Sequence, residues 1–368
     1  MGINDYFTKE YSVKSLIEGT TIENAICFLI DNSLDAAEKA NKSINIEIVL
    51  DNNTFRIQDN GIGISYKEAQ ESLLKIGEKN SFTDLYGQGL KKAILTMGKK
   101  INIKSTRGTG VTNINLRILG DDEKDLWKPS LNYSRTKSKE GFIVEITEFT
   151  NEMNKFIMDN MNLNKFVKLK NKLSYKYRYI LQSGLATIKF NEDYLDAKFI
   201  DADKVDEKST IIDELNVTVK IFKNIKEKSL NGIDFIVNNR CVVEKEKSKK
   251  IDWNLKIRKK GHSYVKFFGE VIVETDDIEK LGVSPSKNKI NFTTTQFQKI
   301  LDYMFSAIEE NRLAYTKPTI SVQFDIEVED YIEWKEILEE QGSKFECAKE
   351  VIEHLYQLGV NKIRANKD

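Results

Sequence analysis

Three short stretches between residues 28 and 91 carry side chains suited to a phosphorylated ligand. The first is Phe28-Leu29-Ile30-Asp31-Asn32-Ser33-Leu34-Asp35-Ala36, where Asn32 offers a neutral carboxamide oxygen, a hard donor of the kind Mg²⁺ takes beside phosphates. The second is Asp59-Asn60-Gly61-Ile62-Gly63, a carboxylate that accepts hydrogen bonds, followed by two residues without Cβ that permit a sharp turn and close approach. The third is Tyr86-Gly87-Gln88-Gly89-Leu90-Lys91, glycines ahead of a predicted helix whose free N–H groups and dipole favour anions, with Lys91 adding charge. Each stretch alone is common, since Asp-Asn-Gly is an ordinary turn. Their order and spacing carry the signal.

Holding these groups requires a helix, a strand end and a second helix. Residues 20–41 read as the first helix, with Thr20 or Thr21 as cap, Glu23 in the first turn, and Ile22, Ile26, Leu29, Ile30 and Ser33 on its buried stripe. Residues 44–50 and 54–58 alternate apolar and polar around Asp51-Asn52-Asn53, a β-hairpin pattern, and Asp59 ends the second strand. A short helix is predicted over 65–75, a polar loop over 76–86, a helix over 89–98, strands over 99–118 around Arg107-Gly108-Thr109-Gly110, and a strand over 141–146. Past residue 152 the pattern gives helix over 155–183, strands at Ala186–Phe190 and 217–222, and a strand running into a turn over 234–240. After Pro318 come a strand-like stretch, 319–328, and two helical patterns, one with Trp334, Ile337 and Leu338, the other with Phe345, Ala348, Val351, Ile352 and Leu355.

With these motifs the chain resembles the GHKL family (gyrase, heat-shock chaperones, histidine kinases and MutL), and its MORC/MutL-like branch above all. The resemblance implies an α+β fold: a two-layer α/β sandwich of the Bergerat ATP-binding type over residues 1–151, a transducer-like α/β domain of ribosomal S5 type over 152–316, and a C-terminal strand and helices, 317–368, without an assigned role. It implies ATP and Mg²⁺ as cofactors. Asn32 becomes the magnesium residue, Asp59 the acceptor for the adenine amine, and Asp35 a residue that orients neighbouring backbone or the lid. Gly61 and Gly63 fall beside base and sugar, Gly87, Gln88, Gly89, Leu90 and Lys91 at the phosphates, and Gly77 and Lys79 in the lid. Lys287 is the candidate for the lysine that a transducer sends to the γ-phosphate, with Lys289 as the alternative. In this picture ATP closes the lid, carries residues 1–18 onto a second subunit, and forms a homodimer that acts with a partner protein in a DNA-related or defence process.

The chain departs from the family at two aromatic positions. Hydrolysing members carry a glutamate four residues before the asparagine, where this chain has Phe28, one helical turn from Asn32 and on the same side. Asp31 and Glu23 are the nearest carboxylates, and only Asp31 is placed to substitute as base. Losing a positioned base lowers a rate by about 10² to 10⁴, so turnover is expected to be slow or absent. Phe142, after Gly141, stands where a threonine helps to hold adenine in relatives. A pocket partly filled by these rings fits an alternative function, a scaffold that does not hydrolyse nucleotide.

A nucleic-acid clamp is a third reading. It draws on Lys165, Lys168, Lys170, Lys172, Lys176 and Arg178 interleaved with Phe166, Tyr175, Tyr177 and Tyr179, and on Lys249, Lys250, Lys256, Arg258, Lys259 and Lys260. Such runs are more often the solvated face of a helix. Overall charge is silent, with 57 basic and 57 acidic residues. Cys27, Cys241 and Cys347 are too far apart for a disulfide framework or a metal site, and no stretch approaches the roughly 20 apolar residues that span a bilayer. A cytoplasmic protein without membrane contact is expected. No phosphoacceptor helix, cysteine-rich finger or nuclease metal motif is legible, so effector chemistry is expected from another chain.

Overall fold

The first long helix, α1 (Ile22–Ala40), begins where Thr21 accepts a hydrogen bond from the Asn24 N–H at 3.2 Å and ends at Asn41, whose φ of 47° closes it in the left-handed region. Its middle is buried nearly all round, the mark of a helix enclosed by other layers rather than lying on a surface. The computed structural model describes residues 16–73, 84–117, 128–135, 139–161, 166–225, 231–257, 259–260, 263–264, 266–278, 281–284, 287–311, 313, 332 and 335–337.

After α1 come β1 (Ile44–Leu50) and β2 (Phe55–Asp59), joined by a turn in which Asp51 Oδ1 accepts from the N–H groups of Asn53 and Thr54 at 2.8 Å. Ser65 and Glu68 cap each other at the start of a single turn, Tyr66–Glu68, which continues as a π-helical turn, Ala69–Leu73. Next are α2 (Asp84–Met97), β3 (Gly98–Arg107), β4 (Gly110–Arg117), β5 (Lys128–Arg135) and β6 (Gly141–Phe149). Three helices follow, α3 (Asn151–Met161), α4 (Val167–Lys176) and α5 (Arg178–Ser183), then β7 (Ala186–Phe190) and β8 (Asp193–Tyr194). These eight strands form one sheet in the order β5-β4-β3-β6-β2-β1-β7-β8, with β7 parallel to β1 and the other pairs antiparallel.

A second sheet takes β9 (Asp203–Ile212), β10 (Leu215–Lys223), β11 (Gly232–Val237), β12 (Arg240–Glu246) and, beyond the small ribbon β13 (Lys259–Lys260) and β14 (Ser263–Tyr264), β15 (Phe268–Glu274). Its order is β12-β11-β15-β10-β9, and α6 (Thr295–Glu310) buries Phe297, Ile300, Leu301, Met304 and Ile308 in its core. The predicted strands at Ala186–Phe190 and 217–222 and the turn at 238–239 are present. The single helix predicted over 155–183 is three.

The boundary expected at residue 152 falls inside the first layer. Met153, Ile157, Leu169, Leu173 and Ile188 share one core with α1 and α2, while the second core begins at Leu215. The cause is β7, which pairs with β1 across more than a hundred residues of sequence and draws α3 to α5 with it. By chain contacts Met1–Thr316 is one compact unit and Lys317–Asp368 another. In the latter, residues 332 and 335–337 are helical, and the strand expected at 319–328 lies outside the described residues.

Arg178 joins the helices to the second sheet. Its Nη2 lies 2.8 Å from Asp234 Oδ2 and 2.7 Å from Glu270 Oε1, and Asp234 and Glu270 face each other on the parallel strands β11 and β15. All three are buried, Tyr175 and Tyr179 donate to Asp234 and Glu270 respectively, and the Lys245 N–H donates to Asp234 Oδ1 at 2.8 Å. Burial pushes the Asp234 carboxyl up against the pull of Arg178. Removing the guanidinium leaves two buried carboxylates facing each other. Arg178→Met is therefore expected to lower unfolding free energy by about 3–5 kcal/mol in urea titrations, and a loss below ~1 kcal/mol would contradict this account.

Candidate functional site

At the end of β2, Asp59 is fixed on both oxygens. Ser33 Oγ, from α1, donates to Oδ2 at 2.7 Å, the Gly61 N–H donates to Oδ1 at 2.9 Å, and the Phe142 backbone N–H also bonds the carboxylate. Burial pushes the Asp59 carboxyl above its ordinary value, while these three donors pull the other way. Such a carboxylate presents remaining lone pairs in one direction, as recognition of an exocyclic amine demands. Ser33 entered the sequence reading only as a member of a buried stripe. Its polar type at an apolar helix position was the available signal.

Two glycines make the neighbouring backbone possible. Gly63 has φ 61°, and a Cβ there would sit 2.6 Å from Thr106 O and 2.7 Å from Ser105 Oγ. At Gly141 a Cβ would sit 2.4 Å from Asp59 O. Ser105, unremarked in the sequence, accepts from the Ile64 N–H at 2.6 Å and donates to Ile64 O at 3.0 Å, pinning the glycine loop to β3. Gly61 has an ordinary φ and is crowded instead by Asp59 Oδ1, 3.1 Å from where its Cβ would be.

Asn32 projects toward this loop. It is 9 % exposed, and its Nδ2 has no hydrogen-bond partner, an unmet donor inside a cleft. Asn32, Asp59, Gly63, Ile64, Leu90 and Phe142 line a cavity of about 20 Å³, room for about one water. Phe28 is buried one turn before Asn32 and faces α2 at Gly89, where a Cβ would lie 3.6 Å from Phe28 Cβ, an ordinary van der Waals contact. Of the two aromatic departures, Phe142 lines this cavity, while Phe28 is packed in the core one turn from Asn32.

The glycine stretch differs from expectation. Gly87, Gln88 and Gly89 lie within α2, which starts at Asp84, so the Gly89 amide is inside the helix rather than in an open phosphate loop. A helical glycine costs about 1 kcal/mol relative to alanine, less than the penalty of about 1–3 kcal/mol for leaving a buried amide unpaired. Lys91 follows on α2, 4 % exposed, and burial pulls its ammonium down to about 8. Gly77, Lys79 and the Gln88 side chain lie outside the described residues.

Asp31 corrects a second expectation. Consecutive residues on a helix diverge by about 100°, and Asp31 turns from the cleft to the second sheet. Its Oδ2 lies 2.6 Å from Arg240 Nη2 and its Oδ1 accepts from Tyr177 Oη at 3.0 Å, so it is not free to serve as a base. Burial pushes its carboxyl up, with Arg240 and Lys287 opposing. Asp35, one turn on, forms an ion pair with Lys287 Nζ. Lys289 is exposed and points no comparable contact at α1.

The basic stretch proposed for nucleic acid is engaged internally. Arg178 is in the buried network, Lys176 and Tyr177 are buried, Lys170 pairs with Asp193 at 2.5 Å and Lys172 with Glu23, leaving Lys168 exposed; Lys165 is outside the described residues. In the second cluster Lys249 and Lys250 are exposed, and Lys256 lies 3.8 Å from Asp302 and over the Phe305 ring. Among the described residues no group of three or more His, Cys, Asp or Glu could hold a metal ion, and no helix is long and apolar enough to cross a membrane.

Residues 20–152 match the family of histidine kinase-, DNA gyrase B- and HSP90-like ATPases. This segment is similar to the GHKL ATPases. The match spans about a third of the chain and ends where β6 gives way to α3, so α3 to α5 and β7 extend the GHKL sheet beyond it. No curated protein matches the chain. ATP binding is the property the GHKL match supports, and the residues present fit it: an oriented acceptor at Asp59, a Cβ-free cradle at Gly63, an unmet amide donor at Asn32 and a buried cation at Lys91.

An adenine acceptor at Asp59 would have to be ionised, and a phosphate-attracting Lys91 would have to be protonated. Mg·ATP affinity, followed calorimetrically, is expected to fall on acidification above the usual carboxylate range and again as pH rises through about 8. Lys91→Gln should weaken binding at neutral pH and remove the alkaline limb; a limb that persists in this variant would assign it to another group.

Proposed function

We propose that the protein is an ATP-binding conformational switch in which the GHKL domain takes Mg·ATP and the second sheet, as a transducer-like domain, reads whether a γ-phosphate is present. The observation that carries this reading is the Lys287–Asp35 ion pair, which places a lysine from beyond the second sheet one helical turn from Asn32. When bound, Mg²⁺ would supply charge neutralisation at the phosphates. Asn32 Oδ1 would be its protein ligand, Asp59 would hold the adenine amine, and Lys91 would favour the phosphates. Lys287 would exchange Asp35 for the γ-phosphate.

Slow or absent hydrolysis belongs to this reading. Phe28 cannot take a proton, and Asp31 is held by Arg240 and Tyr177. The resulting long-lived ATP state suits a homodimer of the MORC/MutL-like kind that recruits a partner protein for DNA-related or defence work. A scaffold without nucleotide is the second reading. It is favoured by the cavity of about 20 Å³, far below the roughly 300 Å³ of ordinary ligand sites. On the switch reading, Leu90 and Phe142 must shift to admit adenine.

Calorimetric titration of Mg·ATP and Mg·ADP, with phosphate release on the same samples, separates the two readings. Wild type is expected to bind ATP more tightly than ADP, Asn32→Ala and Asp59→Ala to bind neither, and phosphate release to stay near background. ATP-dependent dimerisation is checked by light scattering. Phe28→Glu, if its melting temperature is retained, is expected to raise phosphate release by about 10²-fold. No binding by wild type would leave the scaffold reading.

A further inference from the structure

Asp31 and Asp35, two buried carboxylates one turn apart on α1, are each met by a cation from the part of the chain beyond residue 200. Arg240 opens β12 directly after Asn238-Asn239, whose φ values of 46° and 65° are those of a two-residue hairpin turn matched to strand twist. Its guanidinium, almost fully buried, does two things at once. Nη2 lies 2.6 Å from Asp31 Oδ2, and Nη1 donates to the Lys287 carbonyl oxygen at 2.5 Å. The Tyr177 ring, 5.9 Å away, backs it, and Tyr177 Oη donates to the same Asp31.

Lys287 itself stands at φ 47°, a left-handed conformation that a residue with a Cβ keeps only when its surroundings enforce it. The enforcement is visible. Its N–H donates to Ser284 O at 2.7 Å, its carbonyl is held by Arg240, and its Nζ sits on Asp35. Neither Nε nor Nη2 of Arg240 makes a hydrogen bond, so the Nη1 bridge to the Lys287 carbonyl and the ion pair of Nη2 with Asp31 are what hold this guanidinium in place.

We infer that Arg240 is a positioning residue for the nucleotide response: by gripping Asp31 on α1 and the Lys287 carbonyl together, it fixes the point from which Lys287 Nζ moves between Asp35 and a triphosphate. This rests on the switch reading above and names the residue that regulates it. A planar guanidinium can serve a carboxylate and a carbonyl on two sides, whereas an ammonium in its place keeps the charge beside Asp31 and loses the bridge. Without the bridge the Lys287 backbone relaxes and its ammonium is no longer aimed. The loss should fall on ATP, whose third phosphate is the one Lys287 meets, and spare ADP.

The test compares Mg·ATP and Mg·ADP affinities of the full chain for wild type, Arg240→Lys, Lys287→Ala and the double variant. Arg240→Lys is expected to leave ADP affinity unchanged and to cut the ATP-over-ADP preference by about tenfold. The double variant should lose no more than Lys287→Ala alone, because both act through one ammonium. A residue that merely stabilises the fold would instead lower melting temperature and weaken both nucleotides alike. If Arg240→Lys does not fold, Asp31→Asn, which removes the carboxylate that anchors the guanidinium while keeping its shape, is read in the same way and should show the same selective loss. A wild type that prefers ATP beside an Arg240→Lys or Asp31→Asn protein that prefers it equally would overturn the inference and leave the switch standing. A wild type with no preference for ATP would overturn both.

Discussion

A guanidinium taken out of water must find partners where it is buried, and this protein imposes that condition twice between its two sheets. Arg178 meets Asp234 and Glu270, while Arg240 meets Asp31 and the Lys287 carbonyl. Neither arrangement tolerates gradual slippage, since drawing the charges apart without replacement leaves each uncompensated in a low-dielectric layer. The second sheet can therefore change its relation to α1 only by exchanging one set of partners for another. Lys287, still partly exposed and held by a single carboxylate, is the member of this set with the least to lose by exchange.

The cleft is built on the opposite principle. Around Asp59 each contact is short-range and directional: a serine hydroxyl from α1, two backbone amides, and glycines where no Cβ can be fitted. These contacts set the backbone around Asp59 before any ligand arrives. Phe142 gives the cleft an apolar wall, and Phe28, buried one turn before Asn32, provides no proton acceptor.

What was legible in the sequence follows this division. Asp59 and Gly63 could be placed because a carboxylate at a strand end and a glycine at positive φ are local requirements, and Asn32 because helix periodicity fixes the face it shares with Phe28. Long-range pairing was not legible. The residues of β7 read correctly as a strand, yet nothing in Ala-Thr-Ile-Lys-Phe says that it lies beside β1, so the first sheet runs on past the boundary expected at residue 152. The basic run 165–178 looked solvated because its partners, Glu23, Asp193, Asp234 and Glu270, are distant in sequence. Asp31 looked available for the same reason, with Arg240 more than two hundred residues away. Gly87 and Gly89 misled in a different manner, because a glycine marks freedom without saying whether the chain uses it.

The parallel pairing of β1 with β7 also bears on how the protein can be handled and how it emerges during synthesis. A fragment cut after β6, where the family match suggests a natural end, would strip β1 of its neighbour and leave Ile44 to Ile48 as an open sheet edge. Unpaired edges of this kind invite the edge of another molecule and lead to aggregation. The same applies to the nascent chain. Until residue 190 has left the ribosome, the central sheet lacks the strand that closes this edge, so the nucleotide domain cannot finish folding on the segment that carries its own motifs.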